Sequence, residues 1–382
     1  MADAPAVLQV LPSMNGGGVE RGVIDVAAAL TAAGWRAIVA SSGGPLVREL
    51  LRAGAIHVQL PIEARNPFLF ARHSRLIGAA AREHNVSLIH ARSRAPAWAA
   101  RAAARRLDIP FVTTFHGYYS HSNPAKRFYN SIMIKGDRVI AISQFIAKHI
   151  RTVYRVNDDR VVTIPRGVDP VVFDPSAVSP HRLARLSKAW RLPDGLPVIM
   201  LPGRLARWKG QRVLLEALPR MKRREFVCVI VGGRKGHDRY RAELEDIVAK
   251  RNLESLVRFV DHESDMPAAY MLADVVVSAS TEPEAFGRVS AEAQAMGRPV
   301  VATSHGGTME TVVPGETGWL VPPSDPDLLA MYLDQALELD IAARELLARR
   351  ARTHILRNFS LQGMCASTLD VYRSVLNRHG TR

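Results

Sequence analysis

The chain has 382 residues, a length that favours two α/β domains over one. Apolar residues make up 47% of it and charged residues 23%, a balance that excludes an extensively disordered protein. Its two cysteines, Cys228 and Cys365, are too few and too far apart for a disulfide scaffold, and neither suggests a metal site. No run of 18 apolar residues predicts a membrane-spanning helix, and the first residues lack the basic and apolar segments of a signal peptide. These features predict a cytoplasmic protein.

The net charge of +15 is distributed unevenly along the chain. Residues 1–190 contain 25 Lys and Arg against 12 Asp and Glu, whereas residues 191–382 contain 26 against 24. A basic surface attracts phosphate groups, whether in an anionic membrane, a glycolipid or a nucleic acid. We expect peripheral contact of the first half with an anionic membrane or glycolipid, at the inner face of the cytoplasmic membrane, and no nucleic-acid partner. An ordinary solvated surface is the alternative.

The first half alternates predicted strands and helices, the pattern of a doubly wound parallel sheet. Strands are predicted at residues 6–11, 35–41, 56–60, 87–90, 111–114, 137–143 and 161–165. Gly16, Gly17 and Gly18 form the turn after the first strand. Glycines there let backbone amides approach a phosphate closely, although three in a row also make an ordinary turn.

Three further residues of the first half follow predicted strands directly. Arg92 and Arg94 come after strand 87–90, and His116 comes after strand 111–114. Ligands bind at the carboxyl ends of the strands in such sheets, so all three are candidate site residues. The two arginines suit an anionic acceptor or are a plain surface cluster. A single histidine in this position, such as His116, is also typical of a packed, hydrogen-bonded residue with a structural role. Downstream, residues 126–135 alternate basic and large apolar side chains, which suits a membrane surface or a core-packing helix.

A proline-rich stretch separates the two halves. Pro170, Pro175 and Pro180 are typical of a linker, and we place the domain boundary near residue 185. The second half then repeats the alternation, with strands predicted at residues 197–202, 226–232, 257–260, 273–279 and 299–303. Arg204 and Lys209 lie in the loop after the first of these strands, where they are well placed to reach a phosphate. A surface location is the alternative.

The stretch from Ser278 to Pro299 combines a buried strand end, a turn and a helix start. Glu284 lies in the turn and Glu292 in the helix. The amides near Phe286, Gly287 and Arg288 point at whatever binds there, and anionic groups are favoured at such a site. Two carboxylates beside a phosphate would repel it, so we expect them to accept hydrogen bonds from hydroxyl groups, such as those of a sugar.

These motifs resemble those of the retaining glycosyltransferases of family 4. Glu284, seven intervening residues and Glu292, in the frame E-A-F-G-x4-E-A-x-A-x-G, resemble the EX7E signature of that family. The loop Gly203–Gly210 (GRLARWKG) resembles the family's diphosphate-binding loop. The resemblance implies the GT-B fold, an α/β architecture of two Rossmann-like domains facing across a cleft. It implies domains at residues 1–185 for the acceptor and 186–360 for the nucleotide sugar, with a helix at 361–382 crossing back to the first.

The resemblance also implies roles for individual residues. The donor diphosphate is expected to contact Arg204, Lys209, Gly17 and Gly18, together with the amides of Phe286, Gly287 and Arg288. Glu284 and His116 are expected beside the transferred sugar, and Glu292 at the nucleotide ribose. Arg166 departs from the family, because asparagine commonly stands there.

The function implied is retaining, metal-independent transfer of a hexosyl group from a UDP- or GDP-sugar to a glycan or glycolipid, such as a lipopolysaccharide core. No cofactor is expected. Asp325-x-Asp327 mimics a metal-binding D-x-D motif, but its place before an apolar helix favours a helix cap. Two alternatives remain open: a sugar-nucleotide epimerase of the same architecture, and a basic non-catalytic binding protein.

Overall fold

The computed structural model describes residues 4–63, 66–233 and 238–380. The chain divides into two compact units, Met1–Gly167 together with Leu361–Arg382, and Val168–Ser360. Each unit is built on one parallel sheet flanked by helices.

The sheet of the first unit has seven strands in the order β3-β2-β1-β4-β5-β6-β7, and every neighbouring pair is parallel. Most of its central strands are buried along their whole length, which requires apolar residues on both faces of the sheet and explains the near-continuous apolar runs. The strands are β1 (Ala6–Val10), β2 (Arg36–Ser41), β3 (Ile56–Gln59), β4 (Leu88–Ala91), β5 (Phe111–Phe115), β6 (Arg138–Ala141) and β7 (Val161–Thr163). The helices that connect them are α1 (Gly18–Ala32), α2 (Val47–Arg52), α3 (Phe70–Glu83), α4 (Arg94–Leu107), α5 (Pro124–Asn130) and α6 (Gln144–Tyr154).

The sheet of the second unit has six strands in the order β10-β9-β8-β11-β12-β13, again all parallel. The strands are β8 (Val198–Pro202), β9 (Val227–Val231), β10 (Val257–Val260), β11 (Val275–Ser278), β12 (Val300–Thr303) and β13 (Trp319–Val321). The helices are α7 (Pro180–Ala189), α8 (Gln211–Ala217), α9 (Asp238–Lys250), α10 (Met266–Leu272), α11 (Arg288–Ala295), α12 (Thr308–Thr311), α13 (Pro326–Leu337) and α14 (Ile341–Asn358). Because β8 and β11 are neighbours at the centre, the loops that follow them meet at one edge of the sheet.

The last helix, α15 (Leu361–Gly380), belongs to the first unit. Its side chains Met364, Leu369 and Tyr372 lie in the same core as Val7 and Leu11. The predicted return of the final helix to the first domain is therefore confirmed. Within the chain that the structure describes, no helix is long and apolar enough to cross a membrane.

The predicted boundary near residue 185 falls inside α7, whereas the two units divide between Gly167 and Val168. The segment in between packs on the second unit, because Phe173 and Leu183 contact its core and Arg352 Nη1 donates to the Phe173 carbonyl at 2.9 Å. The proline-rich stretch therefore begins the second unit. Which unit holds acceptor and which holds donor stays a prediction.

The segment at residues 126–135 has two environments. It begins in α5 and continues as a short 3-10 helix, Ser131–Ile134, whose Ile132 and Met133 side chains are fully buried. Phe128 is 68% exposed and lies against Trp98, with ring centroids 5.2 Å apart. The second part is thus a core element, while the first leaves an aromatic side chain in solvent.

Candidate active site

Two loops of the second unit are joined at the carboxyl edge of its sheet: the β8 loop, residues 203–210, and the β11 loop, residues 279–287. The Thr281 amide donates to the Trp208 carbonyl at 2.7 Å. Gly210 has a φ of +73°, and a Cβ there would overlap the Ala279 carbonyl. Glycine is needed at residue 210 both for the backbone conformation and for the close approach of the two loops.

Lys209 and Glu284 form an ion pair at this junction, with side chains that are only 16% and 14% exposed. Ser280 Oγ donates to Glu284 Oε1 at 2.7 Å, and Lys209 Nζ lies 4.3 Å from the centre of the Trp208 ring. A largely buried pair of this kind is sensitive to the loss of either partner, because the remaining charge is left uncompensated. Lys209 retains two further ammonium protons for a ligand.

A third loop, the β12 loop of residues 304–307, fixes the backbone around Glu284. The Gly307 amide donates to the Glu284 carbonyl at 2.7 Å, and Glu284 and Gly306 form a parallel bridge. A Cβ on Gly307 would lie 2.5 Å from Phe286 Cα. These two glycines therefore let the β12 loop lie directly against the β11 loop and hold Glu284 in place.

His305 also belongs to this junction, although the sequence analysis did not single it out. Both of its ring nitrogens are inaccessible to solvent. Burial lowers the pKa of His305, an effect opposed by the Thr281 backbone and then by the nearby Glu284 carboxylate. The available signal was its position two residues after the predicted strand 299–303 and before two glycines, which is similar to the position of His116 after its own strand.

Arg204 presents its side chain to solvent from a firmly held backbone. Its carbonyl accepts from Gln211 Nε2 at 2.9 Å, and the Leu205 amide donates to the Gly232 carbonyl at 3.1 Å. The side chain is exposed and has no ion pair or hydrogen bond within the described part of the chain. It is therefore a cation with all five guanidinium N–H groups free for an anionic ligand.

Glu292 is held in α11 by two donors. Tyr270 Oη donates to Oε2 at 2.9 Å and Arg288 Nε donates to Oε1 at 2.7 Å, and the carboxylate is 12% exposed. Burial raises the pKa of Tyr270 well above its ordinary value, and the neighbouring carboxylate raises it further, so the phenol stays a donor. Each carboxylate oxygen keeps a lone pair that suits a hydroxyl group.

The residues between the two glutamates divide into core and site. The Phe286 ring is buried against Phe359, with centroids 5.6 Å apart, so only its backbone can meet a ligand. Gly287 has a φ of +87° and precedes α11, where a Cβ would lie 3.0 Å from Thr308 Oγ1. The side chain of Arg288 is engaged with Glu292, which leaves its amide as the predicted contact.

In the first unit, the turn before α1 requires glycine at two positions. Gly16 and Gly17 have φ values of +118° and +147°, and α1 begins at Gly18. A Cβ on Gly17 would lie 2.8 Å from Glu20 Oε2. The sequence analysis missed this carboxylate, which faces the turn and opposes an anionic ligand there.

His116 has one of its ring nitrogens bound to an arginine. Arg166 Nη2 lies 3.0 Å from His116 Nδ1, while His116 Nε2 is buried and has no partner among the described residues. Burial lowers the pKa of His116 well below its ordinary value, and the charges of Arg166 and Arg92 lower it further, as does His90. The ring is therefore neutral.

The structure corrects the expectation that Arg92 lies exposed at the sheet edge. Only 4% of Arg92 is exposed, and its guanidinium bonds to Tyr372 of α15 and lies near the Asp25 carboxylate. His90 joins the same cluster, with Nδ1 2.6 Å from Tyr372 Oη. Arg92 is therefore an interior residue, because the returning helix covers it.

Arg94 remains accessible beside a pocket of 410 Å³. Its guanidinium stacks on the Tyr119 ring at 3.9 Å, and Nη1 donates to Asn130 Oδ1 at 2.8 Å. Asn130 also lines the pocket, together with Ser120, Ala125, Lys126 and Tyr129. Residues 109–136 contain no Asp or Glu, so the positive charge of the pocket wall is not neutralised by its own loops.

Comparisons with known proteins cover both units. Residues 16–172 match the family model described as Glycosyltransferase Family 4, and residues 184–354 match the model described as Glycosyl transferases group 1. A glycosyltransferase of Rickettsia africae of known structure is 37% identical, with a TM-score of 0.91, and the match covers 98% of this chain and 99% of that one. The chain belongs to the glycosyltransferases of family 4 and group 1. Its two Rossmann-like units are those of the GT-B fold.

Two further relatives of this glycosyltransferase carry informative names. The Anabaena protein HepE, whose crystal structure contains UDP-glucose, is 25% identical with a TM-score of 0.84, over 97% of this chain and 99% of HepE. The D-inositol 3-phosphate glycosyltransferase of Salinispora tropica is 31% identical over an alignment of 302 positions that covers 73% of this chain and 62% of that protein. The chain thus spans about three fifths of the length of that relative.

In this glycosyltransferase, the predicted residues Lys209 and Glu284 come together directly, and Arg204 lies in the same β8 loop. Gly17, Gly18 and His116 lie in the first unit at the predicted strand ends. Among the described residues, no group of three or more His, Cys, Asp or Glu is arranged to hold a metal ion. Asp325 accepts from the Leu328 amide at 2.9 Å as the cap of α13, which explains the D-x-D motif as a helix start.

Proposed function

We propose that this glycosyltransferase moves a hexosyl group from a UDP-sugar to an acceptor that carries an anionic group, with retention of anomeric configuration and without a metal. The observation that carries this proposal is the junction of Arg204, Lys209 and Glu284 at the edge of the second sheet. It combines one free cation, one half-engaged cation and a carboxylate that is held at a fixed position. UDP-glucose in the related HepE structure supports a UDP-sugar as donor.

The two cations supply what a departing diphosphate needs. When the bond between C1 of the sugar and the phosphate oxygen breaks, the electron pair stays on the diphosphate. Arg204 can bind two phosphate oxygens through its planar fork, and Lys209 can donate its remaining protons. Lys209 is held by Glu284 before the reaction starts, and the backbone of Arg204 is fixed by Gln211, which favours stabilisation of the developing charge.

The carboxylates and the histidine suit the sugar parts of the donor. Glu284 is pinned by Ser280 and the β12 loop, so that its free lone pairs have fixed directions toward a sugar hydroxyl. Glu292 is pinned by Tyr270 and Arg288 and suits the ribose hydroxyls. His116 is proposed to lie beside the transferred sugar. The acceptor oxygen forms its bond to C1 on the face that the diphosphate leaves, and its proton passes to a donor phosphate oxygen.

The pocket beside Arg94 suits an anionic group on the acceptor. Arg94 and Lys126 both line it, and neither forms an ion pair among the described residues. A relative whose name gives D-inositol 3-phosphate as its substrate supports an acceptor of this kind. A phosphorylated glycolipid, such as a lipopolysaccharide core, would present the same kind of anionic group at a membrane surface. An acceptor of this kind agrees with the basic composition of the first unit.

Thermal unfolding with UDP-glucose, GDP-glucose and ADP-glucose tests the donor part of the proposal. A ligand that binds only the folded protein raises its Tm, by an amount set by the ligand concentration over Kd. We expect a rise with UDP-glucose that is abolished in Lys209→Ala. The matched control is Lys250→Ala, which removes an exposed lysine paired with Asp246 on α9 and should leave the rise unchanged. An equal rise in native protein and Lys209→Ala would contradict the proposed diphosphate site.

A further inference from the structure

The contact between Arg166 and His116 determines which nitrogen of the histidine carries its proton. Arg166 Nη2 lies 3.0 Å from His116 Nδ1. A guanidinium group has five N–H donors and no acceptor, and it stays charged in proteins. His116 Nδ1 must therefore accept the hydrogen bond through its lone pair. In the neutral ring the proton is then on Nε2, which makes Nε2 a hydrogen-bond donor.

The surroundings of the ring agree with a neutral imidazole. A protonated ring would direct two donors outward, one of them at the Arg166 guanidinium. The charged and titratable groups that face His116 are Arg166, Arg92 and His90, with the Tyr119 hydroxyl close to its backbone. None of these is an anion that would stabilise a second proton.

The His116 Nε2 donor is left without an acceptor. It is inaccessible to solvent and has no hydrogen-bond partner within the described residues. Buried polar groups in proteins are nearly always paired, so an unpaired donor in a candidate site is a position for a ligand atom. The atom that satisfies it must be an acceptor, such as a sugar oxygen.

Arg166 reaches His116 because α1 leaves room for it. A Cβ on Gly22 would overlap Arg166 Nη1 and lie 3.2 Å from Arg92 Nη2. The backbone beyond Arg166 is anchored as well, since the Gly167 amide lies 3.3 Å from Met364 Sδ of α15. The Arg166 side chain therefore occupies space that only glycine at residue 22 leaves open.

We propose that Arg166 is a positioning residue that holds His116 in the tautomer with its proton on Nε2. His116 then donates a hydrogen bond to an oxygen of the transferred sugar and takes no proton during the transfer. This role rests on the proposed function, in which His116 lies beside the sugar. Arg166 itself acts only through the histidine.

The tautomer is measured directly by NMR of the protein labelled with ¹⁵N-histidine, without any substrate. Loss of the signal in His116→Gln assigns it. We expect the proton on Nε2 in the native protein, and a shift of the population toward Nδ1 in Arg166→Met. Arg166→Lys, which keeps a donor, should restore the native tautomer in part. A native ring with its proton on Nδ1, or no change in Arg166→Met and Arg166→Asn, would overturn the proposal.

Kinetics separate positioning from a merely structural effect. We expect Arg166→Met to lower kcat for hydrolysis of UDP-glucose about 10-fold with little change in KM, because one hydrogen bond in the transition state is lost. His116→Gln presents an N–H near the position of Nε2 and has no tautomer to control. Adding Arg166→Met to His116→Gln should therefore cost less than about 2-fold. A full 10-fold loss in the double variant would show that Arg166 acts through the fold instead.

The two readouts distinguish this proposal from the proposed function. If UDP-glucose fails to bind the native protein while the tautomer shifts as expected, the donor assignment is wrong and the Arg166 contact stands. If UDP-glucose binds and the tautomer does not respond to any Arg166 variant, only the role of Arg166 is overturned.

Discussion

Lys209 and Glu284 are each bound by more than one neighbour, and these contacts couple phosphate binding to sugar binding in the proposed site. Lys209 holds a charge that Glu284 neutralises, and its ammonium group also lies against the Trp208 ring. Glu284 in turn takes a hydrogen bond from Ser280. A phosphate that binds Lys209 would compete with Glu284 for the same ammonium protons. We therefore expect donor binding to free Glu284 for the sugar hydroxyls at the moment when the sugar arrives.

We expect His149 to make the stability of the first unit sensitive to acid. It lies in an aromatic cluster with Tyr118, His121 and Tyr154, and burial lowers its pKa to about 4. The unfolded chain has an ordinary histidine pKa of about 6.5, so it takes up the proton first as the pH falls. The contribution of neutral His149 to the free energy of unfolding should therefore be fully present above pH 6.5 and be lost between pH 6.5 and pH 4.

We expect His149→Phe to lose less stability on acidification than the native protein. The difference between urea unfolding at pH 7.5 and pH 5 should be smaller in the variant by about 1 to 2 kcal/mol. His181→Gln, which changes an exposed histidine, is the control and should behave as the native protein does. The same pH dependence in native protein and His149→Phe would show that other groups cause the acid sensitivity.

At the scale of elements, the site depends on glycines that let loops meet. Gly210 and Gly195 have nearly the same φ, +73° and +77°, but only Gly210 has a neighbour where a Cβ would stand. Gly195→Ala should thus report backbone strain alone, about 1 kcal/mol. We expect Gly210→Ala to destabilise the protein by about 1 to 3 kcal/mol more than Gly195→Ala does, because the β8 and β11 loops must separate.

The measurement is thermal unfolding of the two variants side by side, followed by UDP-glucose binding. Gly210→Ala should show both a lower Tm and weaker binding, whereas Gly195→Ala should bind normally. Equal Tm values in the two variants would mean that the loops are not tightly apposed.

The elements themselves were largely predictable from the sequence, because buried parallel strands are short apolar runs that end in loops of small and polar residues. The predicted strand at residues 111–114 is β5, and the loop after it carries His116 as expected. The side-chain partners were not predictable. His116 is bound by Arg166, 50 residues away, and Arg92 is covered by Tyr372 of the last helix. Such pairs depend on the register between distant elements, which local patterns do not report.

The polar features of the site were predictable by type but not by arrangement. The sequence indicated Lys209 for phosphate and Glu284 for sugar as separate contacts, and the structure places the two groups against each other. Glu20 was overlooked because it reads as an ordinary acid in the first turn of a helix, yet it faces Gly17. Both cases depend on side-chain direction.

At the scale of the whole molecule, the charge is divided by unit. The residues of the first unit contain 25 Lys and Arg against 11 Asp and Glu, and those of the second contain 26 against 25. In the proposed reaction the donor is bound by a few cations, Arg204 and Lys209, in the second unit, whose net charge is close to zero. The net positive charge of the first unit favours anions in general, which suits a phosphorylated acceptor. Contact with an anionic membrane stays a prediction.

Proton NMR of UDP-glucose during slow hydrolysis by the enzyme tests the central claim most directly. Water takes the place of the acceptor, so the acceptor need not be known, and the anomeric signal shows which glucose forms first. Retention predicts that α-glucose appears before its conversion to the β form, and that Lys209→Ala abolishes the signal. Initial release of β-glucose would contradict retention, and conversion of UDP-glucose into another UDP-sugar without release of glucose would identify an epimerase instead.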